Sequence, residues 1–282
     1  MCLIEVEYPH RKIKSGSPLN LWGVSTPGWT KRRASAISTI AGCPEELKQM
    51  IKCLKEVPAK FLVNVYNILF WRNYPIISVM PVAEKCNCSK ESLLCDYPLL
   101  CFKQITKVLV LMGMNSRDVG IFASRMNNAT HLVYTEFLED FNHYTSSFLQ
   151  YRYTVKFSDI PFIGDEINTR YFSNGKLEDP LSAIKMITGG LFLHGIFQMA
   201  TKLSQSVYYY IYYYSNAFLF NSLYRPYPFP TKLGVTYADE VTSFFSTSDR
   251  SDLPGNDFNV SNCMVKIWTN FATKEYVTYT VY

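Results

Sequence analysis

Lys107 to Met112 is a short apolar run, valine-rich at its middle and ended by Gly113. A strand made from such a run has no polar side to turn toward water, so it must be covered on both faces, as happens inside a parallel sheet flanked by helices. Val207 to Tyr214 is β-branched and aromatic and reads as another strand, its tyrosines serving sheet packing rather than ligand stacking. Lys31 to Ala41, Glu45 to Lys55 and, opened by Pro58, Ala59 to Phe70 have helical composition, with Cys43 and Pro44 separating the first two. Thr130 to Tyr153 and Leu181 to Ser204 carry apolar residues at helical spacing, the latter interrupted by Gly189-Gly190. Val260, Met264, Ile267 and Phe271 form one apolar stripe on a last helix. The fold class is therefore α/β. Within it, Asp118 falls at a strand's carboxyl end, where open α/β sheets place their chemistry.

With 282 residues and 48% hydrophobic content, the chain can bury one sizeable core and forms a single folding unit. A net charge of +5 is a mild imbalance and lacks the clustered basic face of a nucleic-acid binder. The densest basic run, Lys31-Arg32-Arg33, reads as a solvated helix start. Glu5 and Glu7 stand where a signal peptide needs a basic region, and the apolar run beside them is too short, so no signal peptide is expected. Ser204 to Tyr224 is uncharged, yet its tyrosines, serines and asparagines suit sheet and loop rather than a membrane span. Cys86, Cys88, Cys95 and Cys101 lack a Cys-x-x-Cys spacing or a neighbouring histidine and read as loop thiols rather than a metal site. Asn87, Asn128 and Asn259 open glycosylation sequons, which agree with a secretory origin. No metal or other cofactor is implied.

Several blocks occur in one order along the chain. His10-Arg11-Lys12-Ile13-Lys14-Ser15-Gly16-Ser17-Pro18-Leu19-Asn20 comes first, then Gly42-Cys43-Pro44 with Lys52-Cys53-Leu54-Lys55, then Gly113-Met114-Asn115-Ser116-Arg117-Asp118. Gly234-Val235-Thr236-Tyr237-Ala238-Asp239-Glu240 follows, and last Ser261-Asn262-Cys263-Met264-Val265-Lys266-Ile267-Trp268-Thr269-Asn270-Phe271-Ala272. Together they resemble the type-B carboxylesterases and cholinesterases over most of the chain. The last block, close to that family's "S..MV.LWTNFA" helix, is the most specific. The resemblance implies a partial α/β-hydrolase fold, comprising the C-terminal half of the mixed sheet with flanking helices, as one incomplete domain over residues 1–282. It also implies a Cys43–Cys53 disulfide, a secretory location and carboxylic esters as the substrate class. Lys274 to Tyr282 departs from it and reads as an alternating strand or a tail.

Acyl transfer in that family needs a serine nucleophile, a histidine that takes and returns its proton, a carboxylate that orients the imidazole, and amides that hold the oxyanion. The resemblance places the Gly-x-Ser-x-Gly elbow upstream of the His10 block, and no such motif occurs in this chain. It puts Asp118 at the triad acid, where the family has Glu, followed by Val119 where glycine is usual. It puts Tyr237 at the triad histidine. A phenol titrates near pH 10 and is only about a thousandth ionised at neutral pH, so it cannot serve as general base. His10, His131, His143 and His194 lie outside that context, and His194 reads as a packed or hydrogen-bonded helix residue. Asp239 and Glu240 read as first-turn acids, favourable at a helix start. With no imidazole to orient, Asp118 is expected to cap a helix over Val119 to Arg125.

The chain is therefore expected to be a catalytically silent carboxylesterase relative. One alternative is a noncatalytic binding or adhesion module on the same scaffold. Another is part of an active hydrolase whose N-terminal half is not included. Loss of half the sheet is expected to strip neighbours from the Lys107 to Met112 strand and to lower solubility.

Overall fold

Three parallel strands form the sheet: β1, His10–Lys14; β2, Leu109–Asn115; and β3, Val207–Tyr212. Their order is β1-β2-β3, with Lys14 opposite Gly113, Val110 opposite Val207 and Asn115 opposite Tyr212. The computed structural model describes residues 10–69, 79–84, 92, 94–101, 109–120, 132–172, 180–203, 207–216, 234–245 and 255–277. β2 is the central strand, and every residue from Val110 to Asn115 is buried. The expectation of a strand stripped of its neighbours is thus overturned: β1 and β3 cover both edges of β2.

Gly113 does not end β2 but lies within it. A Cβ there would fall 2.0 Å from the Tyr210 ring, so the phenol packs where a side chain would stand. β1 escapes the hydrophobic pattern because it packs Ile13 on the core while Lys12 stays exposed. In β3 the residues alternate. Tyr210 and Tyr212 pack with Val235 and Met264, whereas Tyr209 and Ile211 stay exposed, so the sheet-packing reading of the tyrosine run holds for alternate residues.

The helices are α1 (Pro27–Ile40), α2 (Leu47–Glu56), α3 (Ala59–Leu69), α4 (Pro98–Cys101), α5 (Leu132–Glu139), α6 (Phe141–Phe148), α7 (Ile160–Tyr171), α8 (Pro180–Thr188), α9 (His194–Lys202) and α10 (Asn256–Lys274). The expected helix from Thr130 to Tyr153 is divided at Asp140, whose carboxylate accepts from the His143 amide at 3.3 Å and starts α6 anew. α1 begins at Pro27 rather than Lys31, proline suiting the first helical position. Lys31 and Arg32 are exposed, but Arg33 is buried and donates to the Ser25 hydroxyl, which corrects the solvated reading for that residue.

Gly189-Gly190 does not break its helix. A π-helical turn over Gly189–Leu193 joins α8 to α9. Asn20 donates through Nδ2 to the carbonyls of Leu191 and Phe192 at 2.6 and 2.9 Å, and Gly195 admits that approach, since a Cβ there would lie 2.5 Å from the Asn20 backbone. Among the described residues, the helix Leu181–Lys202 alone has the length and apolar composition to cross a membrane. Its apolar face is occupied within the protein, where Ile187, Leu191, Ile196 and Met199 join Met112, Met114, Phe137 and Phe148 in the main core.

α10 lies over the sheet near β3: Val260 and Met264 meet Tyr212 and Val235, and the Phe271 ring stands 6.0 Å from that of Tyr208. It ends at Lys274 with Glu275 in the left-handed region, φ 60°. Residues 278–282, most of the expected terminal strand or tail, lie outside the described residues. So do Asn87, Asn128, Cys86, Cys88 and His131, while Cys95 is a free thiol and Asn259 is exposed on α10.

Cys43 and Cys53 form a disulfide with Cα atoms 5.8 Å apart, tying the end of α1 to α2. Closing a loop of this length restricts the unfolded chain, so Cys53→Ser should lower unfolding stability by about 2–3 kcal/mol in denaturant titration under oxidising conditions, with no difference under dithiothreitol. Gly113→Ala should cost about 1–3 kcal/mol in the same titration, because the Tyr210 ring must move; an unchanged midpoint would contradict that packing.

Candidate functional site

The three strands run in parallel, so their carboxyl ends gather the residues that follow them. Ser15 follows β1 directly, in a left-handed conformation of φ 45°, with its amide donating to the Gly113 carbonyl at 2.7 Å. Asp118 sits in the turn after β2. The stretch Gly234 to Tyr237 runs beside that turn: the Arg117 amide donates to Val235 O at 2.8 Å and the Tyr237 amide to Asp118 O at 3.2 Å. Asp118, Tyr237 and the β1 end, far apart in sequence, are thereby brought together.

Asp118 is fully buried. Its carboxylate accepts from Ser15 Oγ at 3.0 Å and from the Asn115 amide at 3.2 Å. Its side chain thus fastens β1 to the β2 turn; residues 121–125 of the stretch it was expected to cap lie outside the described residues. Val119, at the family's glycine position, is wholly buried in the core. The close approach falls one residue later, at Gly120, where a Cβ would meet Thr236 Cγ2 at 2.0 Å.

Glu240 is also buried, 1% exposed, and it is more than the first-turn acid expected. It pairs with Lys14 Nζ at 3.2 Å and accepts from Asn115 Nδ2, which also donates to Thr236 O at 2.8 Å. Asp239 accepts from the Thr236 amide and hydroxyl at 2.7 and 3.0 Å and closes the turn ahead of the 3₁₀ segment Asp239–Ser243. Ser15, Lys14, Asn115 and Glu240 were not singled out from sequence as site residues. The available signal was an uncompensated glutamate next to a short turn, which is weak.

Burial raises the Asp118 carboxyl to about 7; the Ser15 hydrogen bond opposes the rise and the nearby Glu240 charge adds to it. Tyr237 is 43% exposed, and its ring leans on Phe192 with centroids 6.0 Å apart. Its hydroxyl makes no hydrogen bond to Asp118 among the described residues. Partial burial, then the Asp118 and Glu240 charges, push its phenol above the usual value. Phe192 in turn contacts Trp22 at 5.8 Å, so the floor beside Tyr237 is aromatic. His194 is exposed on α9 with Nε2 3.0 Å from Gln198 Nε2, and His143 lies on α6; neither reaches this site. Among the described residues no cluster of His, Cys, Asp and Glu could hold a metal ion.

Residues 7–279 match the model of the carboxylesterase family. The chain belongs to the carboxylesterase family. It is similar to esterase E4 of Myzus persicae, 26% identical over 270 residues, covering 92% of this chain and 47% of that protein. It is equally similar to esterase FE4 of the same organism, with 46% of that protein covered. The chain therefore spans about half the length of the curated relatives it matches. Its three-stranded parallel sheet with flanking helices is consistent with a partial α/β-hydrolase fold.

The Asp118 carboxyl has a folded pKa above its unfolded value, so its neutral form is bound more tightly in the native state. The stability it contributes is present below about pH 4 and is lost as pH rises through about 7. Thermal melts of this carboxylesterase-family chain between those values should show the decline, and Asp118→Asn should flatten it; an equal slope in both proteins would place the titration elsewhere.

Proposed function

We propose that this chain is the acid-and-histidine side of a carboxylesterase-type site that has lost serine-esterase chemistry. The observation that carries the reading is Tyr237, which stands beside Asp118 where the family resemblance places the catalytic imidazole. Asp118 is the triad acid in this reading and carboxylic esters are the ancestral substrate class. The phenol offers one polar atom where imidazole offers two, so it cannot hold a carboxylate and a nucleophile at once. Its pKa is pushed further from neutrality by burial and by the two carboxylates, which removes the option of an activated phenolate. In a serine protease with a comparable triad, loss of the serine or the histidine costs about a millionfold in rate.

The chain's span of about half its relatives supports placing the nucleophile in another part of such a domain. Even in a longer polypeptide that supplied a serine, Tyr237 would leave it without a base. The Cys43–Cys53 bridge and the exposed Asn259 support folding in an oxidising, glycosylating compartment.

Incubation of the purified chain with p-nitrophenyl butyrate and with a fluorophosphonate probe should give neither turnover nor labelling. Tyr237→His alone should stay silent in this chain. Stoichiometric labelling of the parent would defeat the proposal.

A further inference from the structure

α10 meets the rest of the protein through Val260, Met264 and Phe271, so the opposite side of the helix faces solvent. Asn259, Asn262 and Lys266, at i, i+3 and i+7, form that outward row, and all three are exposed. Val260 separates Asn259 from Ser261, which completes the Asn-x-Ser triplet that oligosaccharide transfer to an amide requires. Asn256, Asn262 and Asn270 share the helix but have Phe258, Met264 and Ala272 two residues on, so none of them is an acceptor.

The surroundings of Asn259 favour a cover. Cys263 lies one turn beyond it, exposed and as a free thiol. In the oxidising compartment that the Cys43–Cys53 bridge calls for, such a thiol is open to cross-linking with a second copy. Side chains at i and i+4 stand about 5–6 Å apart at Cβ, so a branched glycan on Asn259 covers the approach to Cys263. Phe258, 56% exposed, and Val265, 38% exposed, border the same row and add apolar surface within reach of that cover.

We propose that Asn259 is N-glycosylated and that its glycan shields the Cys263 thiol. The donor is a lipid-linked oligosaccharide diphosphate, used by the host's oligosaccharyl transferase. A bond forms from Nδ2 to the anomeric carbon of the first sugar, the bond from that carbon to the diphosphate breaks, the lipid diphosphate leaves, and Nδ2 gives up one proton to solvent. In the folded chain the Ser261 hydroxyl donates to the Ser243 carbonyl at 2.6 Å, and two helical residues turn it about 200° away from Asn259. The folded triplet therefore cannot present both groups to one enzyme site, and transfer precedes the formation of α10. The proposal rests on the secretory compartment proposed above and not on the loss of esterase chemistry.

The full chain behind a cleavable signal sequence, translated with endoplasmic-reticulum microsomes, tests the site apart from the compartment, because the signal supplies the compartment. With Asn87→Gln and Asn128→Gln in place, one mobility step is expected, removed by peptide N-glycosidase. Ser261→Thr should retain the step and Asn259→Gln should abolish it. Chain that has already folded, added to detergent-opened microsomes, should stay unmodified. Alkylation of Cys263 by a polyethylene-glycol maleimide, read on its own peptide, should be several-fold slower in the glycosylated chain than in Asn259→Gln, whereas iodoacetamide, being small, should react at similar rates. Enzymic removal of the glycan from the folded parent gives the same comparison without a substitution. Absence of the mobility step, equal maleimide rates with and without the glycan, or modification of the folded chain would overturn the proposal.

Discussion

Two carboxylates, Asp118 and Glu240, are buried at the carboxyl ends of the parallel strands, and the geometry of that end depends on how their charge is handled. An unpaired buried carboxylate costs several kcal/mol, so each must be neutralised or matched. Glu240 is matched by Lys14 and by Asn115. Among the described residues no cation pairs with Asp118; it takes a hydroxyl and an amide hydrogen bond and, near neutral pH, a proton. One lysine serving two acids is balanced when one acid is protonated, which is the direction in which burial drives Asp118. The same contacts fasten three segments: Lys14 and Ser15 end β1, Asn115 and Asp118 end β2, and Glu240 belongs to the segment that carries Tyr237. Charge compensation and tertiary closure are one set of bonds here.

That coupling holds the shape of the site independently of the side chain at position 237. The Tyr237 backbone is held by the Asp118 carbonyl and the turn around it by Asp239 and Thr236, none of which involves the side chain at position 237. The path of the loop therefore rests on these bonds rather than on the side chain at position 237. The Tyr237 side chain itself leans on the aromatic floor of Phe192.

Much of this was legible in the sequence, and the parts that were not have physical reasons. β2 and β3 were visible because a strand buried on both faces, or one rich in β-branched and aromatic residues, leaves a compositional trace. β1 left none, since a strand that packs Ile13 on the core between Lys12 and Lys14 shows no apolar run. Gly113 reads as a stop when only chain-local rules apply, and its use as room for the Tyr210 ring requires knowing the register between β2 and β3. Gly189-Gly190 likewise reads as an interruption, and it becomes a π turn because Asn20, far away in sequence, accepts the role of donor to the carbonyls that turn leaves free. Asp118 and Tyr237 could be singled out through a family resemblance; Lys14 and Glu240, an ion pair across most of the chain, could not.

Lys14 sets the charge balance of the site. Both acids lie beside position 237, so a cationic side chain there would share their carboxylates with Lys14. Lys14 already commits Glu240, and its ammonium also lies 5.2 Å from the Phe244 ring and 5.9 Å from that of Trp268, so it is held by more than the ion pair. A neutral phenol at position 237 demands no negative charge, and a lysine that satisfies Glu240 is compatible with it. In this chain the lysine and the tyrosine are thus consistent with each other: together they leave Asp118 free to take up a proton, a state in which it can still fasten the strands.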